Sequence, residues 1–246
     1  MSEGGRTEAE VPLSGGRITP GVVRVGDTVR RPVGASSAFV AELLGHLAEA
    51  GFAGAPRHLG LDAAGRDVLS YLPGWVPARF QHWTDAQVTA AGALLRALHD
   101  ATRTCSLAGR HPVVCHNDPG PNNTVFTDGP DGVPVAFIDF DMAASGDPLE
   151  DLGYMAWTWC VSSRREATPV AAQAAQVRVL ADAYGLGADA RPRLVDAILE
   201  RQSRNARWWA GSRLAPPAVI AERVSWSERE HAFTAAHHAS FAAALR

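Results

Sequence analysis

Apolar and polar residues alternate with a period of two in Val22-Val23-Arg24-Val25 and in Thr28-Val29-Arg30-Arg31, on either side of Gly26-Asp27. That pattern predicts a β-hairpin with a two-residue turn. A second hairpin is expected from His58 to Asp62 and from Asp67 to Leu72, joined through Ala63-Ala64-Gly65-Arg66 and closed by Pro73-Gly74. Between the hairpins the spacing changes: Phe39, Val40, Leu43, Leu44 and Leu47 form a helical stripe, with Ser36 or Ser37 placed to cap it and Gly51 to end it. Thr84-Asp85-Ala86-Gln87 is a capping box, opening a helix whose one face carries Val88, Ala91, Leu94, Leu95 and Leu98. The C-terminal part is helical throughout: Leu149 to Cys160, Val170 to Tyr184 ending at Gly185, Arg193 to Ala210, and Trp226 to Leu245. Ser225-Trp226-Ser227-Glu228 is read as a second capping box that opens the last of these. Met1 to Glu10 are small and polar and are assigned no element.

The middle of the chain breaks the helical pattern. The apolar pair Val113-Val114 leads through Cys115 into His116-Asn117-Asp118, on a loop that Pro119-Gly120-Pro121 keep from becoming helix. After Asn122-Asn123 the chain alternates again, turns through residues 128–132 and returns as Val133 to Ile138. Such a hairpin brings Asp139 back beside Asn123. A carboxylate, an amide oxygen and a second carboxylate then converge, a set of hard oxygen ligands suited to Mg²⁺ carrying substrate phosphates.

Composition narrows the function. At 246 residues, 46% hydrophobic and 20% charged, the chain has material for a full core in one domain or two tightly joined lobes. No apolar run approaches the roughly 20 residues that span a bilayer, and the N-terminus lacks an export pattern, so a cytoplasmic protein with no membrane partner is expected. Cys105, Cys115 and Cys160 are an odd number without CxxC spacing, which argues against a disulfide framework or a zinc knuckle. A net charge of −3 argues against a nucleic-acid partner. The chain contains no lysine, so all 23 basic residues are arginine. That excludes a Walker-A loop and any lysine Schiff base, and leaves arginine to grip a nucleotide.

The spacing H-x-D-x-x-x-x-N, filled by His116, Asp118 and Asn123, with Asp139-Phe140 following a short hairpin, resembles the catalytic and metal loops shared by protein kinases and the aminoglycoside phosphotransferase family. Gly146-Asp147-Pro148-Leu149-Glu150-Asp151-Leu152-Gly153 resembles the G-D-P-x-x-D-L-A run of the small-molecule phosphotransferases. The resemblance implies an α+β, bilobal, protein-kinase-like fold: a small antiparallel sheet lobe with one helix over residues 1–72, and a larger, mainly helical lobe over 73–246. It implies transfer of the γ-phosphoryl group of ATP, or GTP, to a hydroxyl of an aminoglycoside-like or other small acceptor. On that pattern Asp118 is the catalytic base, and Asn123 and Asp139 hold Mg²⁺. Arg30, with Arg31 as its competitor one residue on, grips the α- and β-phosphates. Gly15 and Gly16 can bring backbone amides to the phosphates or form an ordinary turn. Ser70, Tyr71 and Leu72 form the hinge that meets the adenine edge, and Val125 and Ile138 floor its pocket.

One departure stands out: the position of the helix glutamate that pairs with the phosphate-gripping base falls on Val40, with Glu42 two residues away on another face. His116 is expected to brace the loop and His99 to be a packed structural histidine. Tryptophans 157, 159, 208, 209 and 226 are expected in the core, or in part to wall a substrate pocket. Asp141, Asp147, Glu150 and Asp151 would suit a cationic acceptor, or would serve only as a cap and a loop brace. Two other functions fit the same residues. One is a metal-dependent hydrolase built on His116, Asp118, Asp139 and Asp141; the other is a nucleotide-binding protein that has lost transfer activity. The acceptor, an antibiotic or a metabolite, and the oligomeric state are not legible from the residues.

Overall fold

The two N-terminal hairpins join into one antiparallel sheet. The computed structural model describes residues 9–13, 21–78, 81–129 and 131–246, so Gly15 and Gly16 lie outside the described residues. The strands β1 (Val11–Pro12), β2 (Val23–Val25), β3 (Thr28–Arg31), β4 (His58–Leu61) and β5 (Asp67–Ser70) take the order β1-β2-β3-β5-β4. Val25 pairs with Thr28 across the Gly26-Asp27 turn, and Gly26 has φ 58°. A glycine at the first turn position meets the positive φ that a tight hairpin demands.

Helix α1 (Ser37–Glu49) crosses between β3 and β4 in sequence and buries Val40, Leu43, Leu44 and Leu47, the expected stripe. Its start departs from expectation. Ser36 occupies the cap position without a capping hydrogen bond. Ser37 instead accepts from the Gly34 N–H at 3.0 Å and donates to Asp67 at 2.7 Å, so the helix is tied to β5.

Helix α2 (Asp85–Thr102) opens on the predicted capping box: the Gln87 N–H donates to Thr84 Oγ1 at 3.2 Å and the Thr84 N–H to Gln87 Oε1 at 3.0 Å. Val88, Ala91, Leu95 and Leu98 are almost wholly buried. Four short strands follow, β6 (Val113–Cys115), β7 (Thr124–Phe126), β8 (Pro134–Phe137) and β9 (Ala144–Gly146), pairing as β6 with β9 and β7 with β8. Helices α3 (Pro148–Cys160), α4 (Val170–Tyr184), α5 (Leu194–Gly211), α6 (Pro217–Ala236) and α7 (His238–Ala244) complete the chain. The architecture is α+β, a small antiparallel sheet region followed by a larger helical region. Among the described residues no helix is long and apolar enough to cross a membrane.

Two helical expectations are corrected. The last helix begins at Pro217, not Trp226, and breaks at His237. Proline suits a first turn, where its missing N–H costs nothing, and outranks the Ser225–Glu228 pattern. Inside a helix the amides of that pattern are already paired, and Ser227 donates back to the Arg223 carbonyl at 2.9 Å. Trp157 and Trp159 are buried as expected, but Trp208 at the end of α5 is 36% exposed and is not core.

Close packing of α3 on α5 has a specific cause. A Cβ on Gly153 would lie 2.8 Å from the Ala197 backbone, so only glycine lets the two helices approach this near.

Candidate active site

Strand β6 is fully buried, its pairing with β9 setting Cys115 opposite Ala144, and it delivers His116, Asn117 and Asp118 to the loop beyond. Asn117 has φ 66° and Asp139 φ 64°, the two non-glycine residues with positive φ among those described. Such conformations persist only where surroundings over-determine them. Asp151 does so for the first. Its carboxylate, inaccessible to solvent, accepts the N–H of His116 at 2.6 Å and of Asn117 at 2.7 Å, and lies 3.1 Å from His99 Nε2. Burial would raise the Asp151 pKa. The hydrogen bond and charge of His99, with the charge and N–H of His116, outweigh burial, and the net direction is down. His99 is the packed structural histidine expected, with Nδ1 2.8 Å from the Tyr184 hydroxyl.

His116 braces the loop. Its Nε2 lies 3.0 Å from the Ile138 carbonyl and its Nδ1 lies 3.3 Å from the Asp118 amide nitrogen. Both ring nitrogens are therefore engaged. The hydrolase alternative, which needs His116 as a metal ligand, loses that ligand.

Asp118 is held on both oxygens: the Tyr154 hydroxyl donates to Oδ1 and Asn123 Nδ2 donates to Oδ2 at 2.8 Å. Asn123 Nδ2 also reaches the Asp118 carbonyl at 3.0 Å, while Asn123 Oδ1 accepts from Asn122 Nδ2 at 2.9 Å. The β7–β8 hairpin forms as expected, Thr124 opposite Phe137, and the Ile138 N–H donates to the Asn123 carbonyl at 2.9 Å. Asp139 follows directly. Its carboxylate opens to solvent and has no hydrogen-bond donor among the described residues. Surrounding protein raises its pKa first by burial and then by repulsion from Asp141 and Asp118, which the charges of His116 and Arg31 only partly oppose. An uncompensated carboxylate beside an amide oxygen and a second carboxylate fits a divalent cation with oxygen ligands.

The two candidate arginines part company. Arg30 donates to Thr28 Oγ1 at 2.8 Å and lies 3.8 Å from Asp62, on the face away from the loop. Arg31 pairs with Asp141, which also receives the Ser36 hydroxyl at 3.3 Å. Successive strand residues face opposite ways, so one side chain of the pair had to turn outward. Glu42 is exposed, faces Ser106 at 3.5 Å, and makes no ion pair among the described residues. The partner of the inward arginine therefore comes from the segment after Asp139, not from α1.

The remaining acids are engaged. Asp147 caps α3 in a capping box with Glu150, Glu150 pairs with Arg204, and Asp151 is the buried brace. Of the two readings of this cluster, Asp147 and Asp151 fill the one in which they serve as helix cap and loop brace.

In the hinge stretch, the Ser70 N–H donates to the Arg57 carbonyl at 2.9 Å and the Tyr71 N–H to that of Asp27 at 2.8 Å. Both amides are used within the sheet region. Gly74, at φ 130°, lies so close to β7 that a Cβ would sit 2.1 Å from the Phe126 carbonyl. Trp75 then pairs with Phe126 through both backbone bonds, 3.1 and 2.9 Å. Val125 is buried and Ile138 half-buried, flanking Asn123 and Asp139.

Three contributors escaped the sequence patterns: Tyr154, the Asn117 side chain and Arg201. Arg201 left a trace, since the buried stripe Leu194, Val195, Ile198 continues onto Arg201 and Gln202, where apolar residues belong. Beyond Asp118, a small recess of about 20 Å³, room for about one water molecule, lies between Asn122, Thr158, Trp157, Trp226 and Glu230. Trp157 and Trp226 stack at 4.5 Å. Glu230 is buried, which raises its pKa against the hydrogen bonds from Ser163 that lower it.

A small antiparallel sheet region, a helical region and an H-x-D-x-x-x-x-N loop facing a D-F loop define a kinase-like small-molecule phosphotransferase. Comparisons with known proteins agree. The sequence model of the phosphotransferase enzyme family matches residues 106–195. The chain is 31% identical over 265 residues to the trifolitoxin immunity protein of Rhizobium leguminosarum bv. trifolii, covering 96% of this chain and 98% of that one. The chain belongs to the phosphotransferase enzyme family. Among solved structures it resembles a choline/ethanolamine kinase family protein from Mesorhizobium loti, with TM-score 0.64 and 20% identity over 98% of this chain and 94% of that chain. It also resembles aminoglycoside 2'-phosphotransferase-IIIa in its GDP complex, with TM-score 0.65 and 15% identity over 92% and 93% of the two chains. An aminoglycoside phosphotransferase from Streptomyces rimosus, in complex with ADP and streptomycin, gives TM-score 0.55 and 19% identity over 79% of this chain and 92% of that chain.

Proposed function

We propose that the protein transfers the γ-phosphoryl group of ATP, or of GTP, to a hydroxyl of a small-molecule acceptor. The observation that carries this is Asp118, held on one side by Asn123 and on the other by Tyr154, with the unpaired Asp139 beside them. Asp118 takes the proton of the acceptor hydroxyl as that oxygen bonds to the γ-phosphorus; the bond to the β–γ bridging oxygen breaks and the nucleoside diphosphate leaves. Asn123 Oδ1 and Asp139 are the residues that would hold Mg²⁺, which neutralises the phosphate charge when bound. Arg31, on the cleft side of β3, takes the role first expected of Arg30 and exchanges Asp141 for the α- and β-phosphates, where its planar fork gives a bidentate clamp. The nucleotide lies between the lobe of residues 1–72 and that of 73–246, with the Leu72 amide at the base edge and Val125 and Ile138 beneath it.

The full-length likeness to a protein named for immunity to a toxin supports a protective role, phosphorylation of an antibiotic-like compound, over a metabolic one.

Calorimetric titration with MgATP and MgGTP, on the wild type and on Asp139→Asn, tests this before any acceptor is known. Binding that needs the metal and disappears in the variant is expected, followed by turnover with one member of an antibiotic and amino-alcohol panel. Binding without turnover on any acceptor would instead favour a nucleotide-binding protein without transfer activity.

A further inference from the structure

Arg201 is 7% exposed and projects from α5 against the catalytic loop. Its Nη2 donates to the Asn117 carbonyl at 2.8 Å and its Nη1 lies 3.4 Å from Asn117 Oδ1. The guanidinium carbon sits 5.2 Å from the centre of the Tyr154 ring. No carboxylate among the described residues comes within 4.0 Å of it, and its Nε is buried without a partner. Glu150 is close enough to feel its charge but is paired with Arg204, so the direct partners of the guanidinium are the carbonyl and side chain of Asn117. What the arginine supplies lies in the loop.

Asn117 stands in the left-handed region, where its Nδ2 donates to the Met142 carbonyl at 3.0 Å, just beyond Asp139. Asp118 is the next residue, and its Oδ1 accepts from the Tyr154 hydroxyl. One guanidinium therefore grips the peptide before Asp118 and lies over the ring of the tyrosine that holds its carboxylate. The close approach of α3 and α5 at Gly153 and Ala197 makes this reach possible, since Arg201 is one turn beyond Ala197 and Tyr154 directly follows Gly153.

We propose that Arg201 is a positioning residue for phosphoryl transfer, fixing Asp118 through Asn117 and Tyr154 and, by way of Asn117, tying the Asp118 loop to the segment after Asp139. This rests on the role given to Asp118 above. Geometry matters at this level because an error of about 1 Å in a reacting group costs on the order of 100-fold in rate.

The test compares wild type, Arg201→Met, Arg201→Lys and Asn117→Gly on the full chain by two readouts. The first is amide hydrogen exchange over residues 115–120 in the absence of nucleotide. The second is steady-state turnover of MgATP with water or a panel alcohol as acceptor. Arg201→Met is expected to speed exchange of the loop about tenfold while α2 and α4 keep their protection and the melting temperature holds or rises. Its kcat should fall about 100-fold with KM for MgATP within about twofold, and Arg201→Lys should recover part of both. Glycine keeps the left-handed backbone at 117 without the side-chain ties, so Asn117→Gly should reproduce the loosening even if Arg201→Met folds poorly. Unchanged loop exchange in both variants, or a rise in KM at constant kcat, would overturn the proposal. A loosened loop in a wild type and variants that bind no MgATP would overturn instead the role of Asp118, and the catalytic part of this inference with it.

Discussion

Asp118 has no free oxygen in the structure, yet it is the base of the proposed reaction; an acceptor hydroxyl must share Oδ1 with Tyr154 or displace it. Replacing it with asparagine keeps the size and one hydrogen-bond acceptor but removes the proton acceptor. Asp118→Asn is expected to abolish transfer while MgATP affinity measured by calorimetry stays within a few fold; equal loss of binding would place Asp118 on the nucleotide instead. Between the arginines, Arg31→Ala should weaken MgATP binding by at least about tenfold, the size expected of a charge-assisted bidentate contact, and Arg30→Ala should change it little. The reverse ranking would restore Arg30 as the clamp. Asp151 gives a pH dependence. Because its folded pKa lies below the unfolded value of about 3.9, its contribution is present above that pH and is lost as pH falls through the folded pKa. Asp151→Asn should therefore lower stability at neutral pH and flatten the acid limb of a denaturation series, an outcome absent if the carboxylate were not charged in the folded chain.

Elements hold these residues where they are. The Asp118 loop is clamped at its root by β6–β9 pairing and at its tip by α3 and α5, so helix packing governs the site from a distance. Gly153→Ala adds a methyl group 2.8 Å from the Ala197 backbone, and overpacking of this kind costs about 1–3 kcal/mol. Thermal melting should register that loss. Turnover should fall further than stability does, because α5 carries Arg201 away from Asn117. The hinge behaves likewise, since Gly74 fits under Phe126 only without a Cβ and only at a positive φ. Of the helices, those with long periodic stripes were legible in the residues: α4 matches expectation at both ends and α2 at its capped start. The start of α6 was missed because a serine–glutamate pair reads as a cap only where amides lack partners, which depends on whether the helix has already begun.

At the scale of the molecule, function requires the sheet region and the helical region to meet over one nucleotide. Arg31 of β3 already bridges to Asp141 beyond β8, so the two regions are in contact without ligand. A ligand bound to the folded state alone adds about 2.7 kcal/mol at 100 times its Kd. MgATP is thus expected to raise the melting temperature by several degrees in the wild type and not in Asp139→Asn.

Residue spacing made the reaction class legible through its resemblance to a known family: His116, Asp118, Asn123 and Asp139 sit on one loop and one short hairpin, and contacts that local follow from turns and strand pairing. It determined the hairpins, the main helices and the exclusion of lysine chemistry for the same reason. Tertiary structure decided what depends on distant partners. Arg31 rather than Arg30 meets Asp141 because successive residues of β3 turn to opposite faces of the sheet. Asp141 replaces a helix glutamate as its partner because α1 presents Glu42 to solvent. Tyr154 reaches Asp118 from 36 residues away and Arg201 reaches Asn117 from 84 because glycine at 153 lets two helices pack without an intervening side chain. Such contacts arise from how faces meet, and a one-dimensional pattern records faces but not their neighbours.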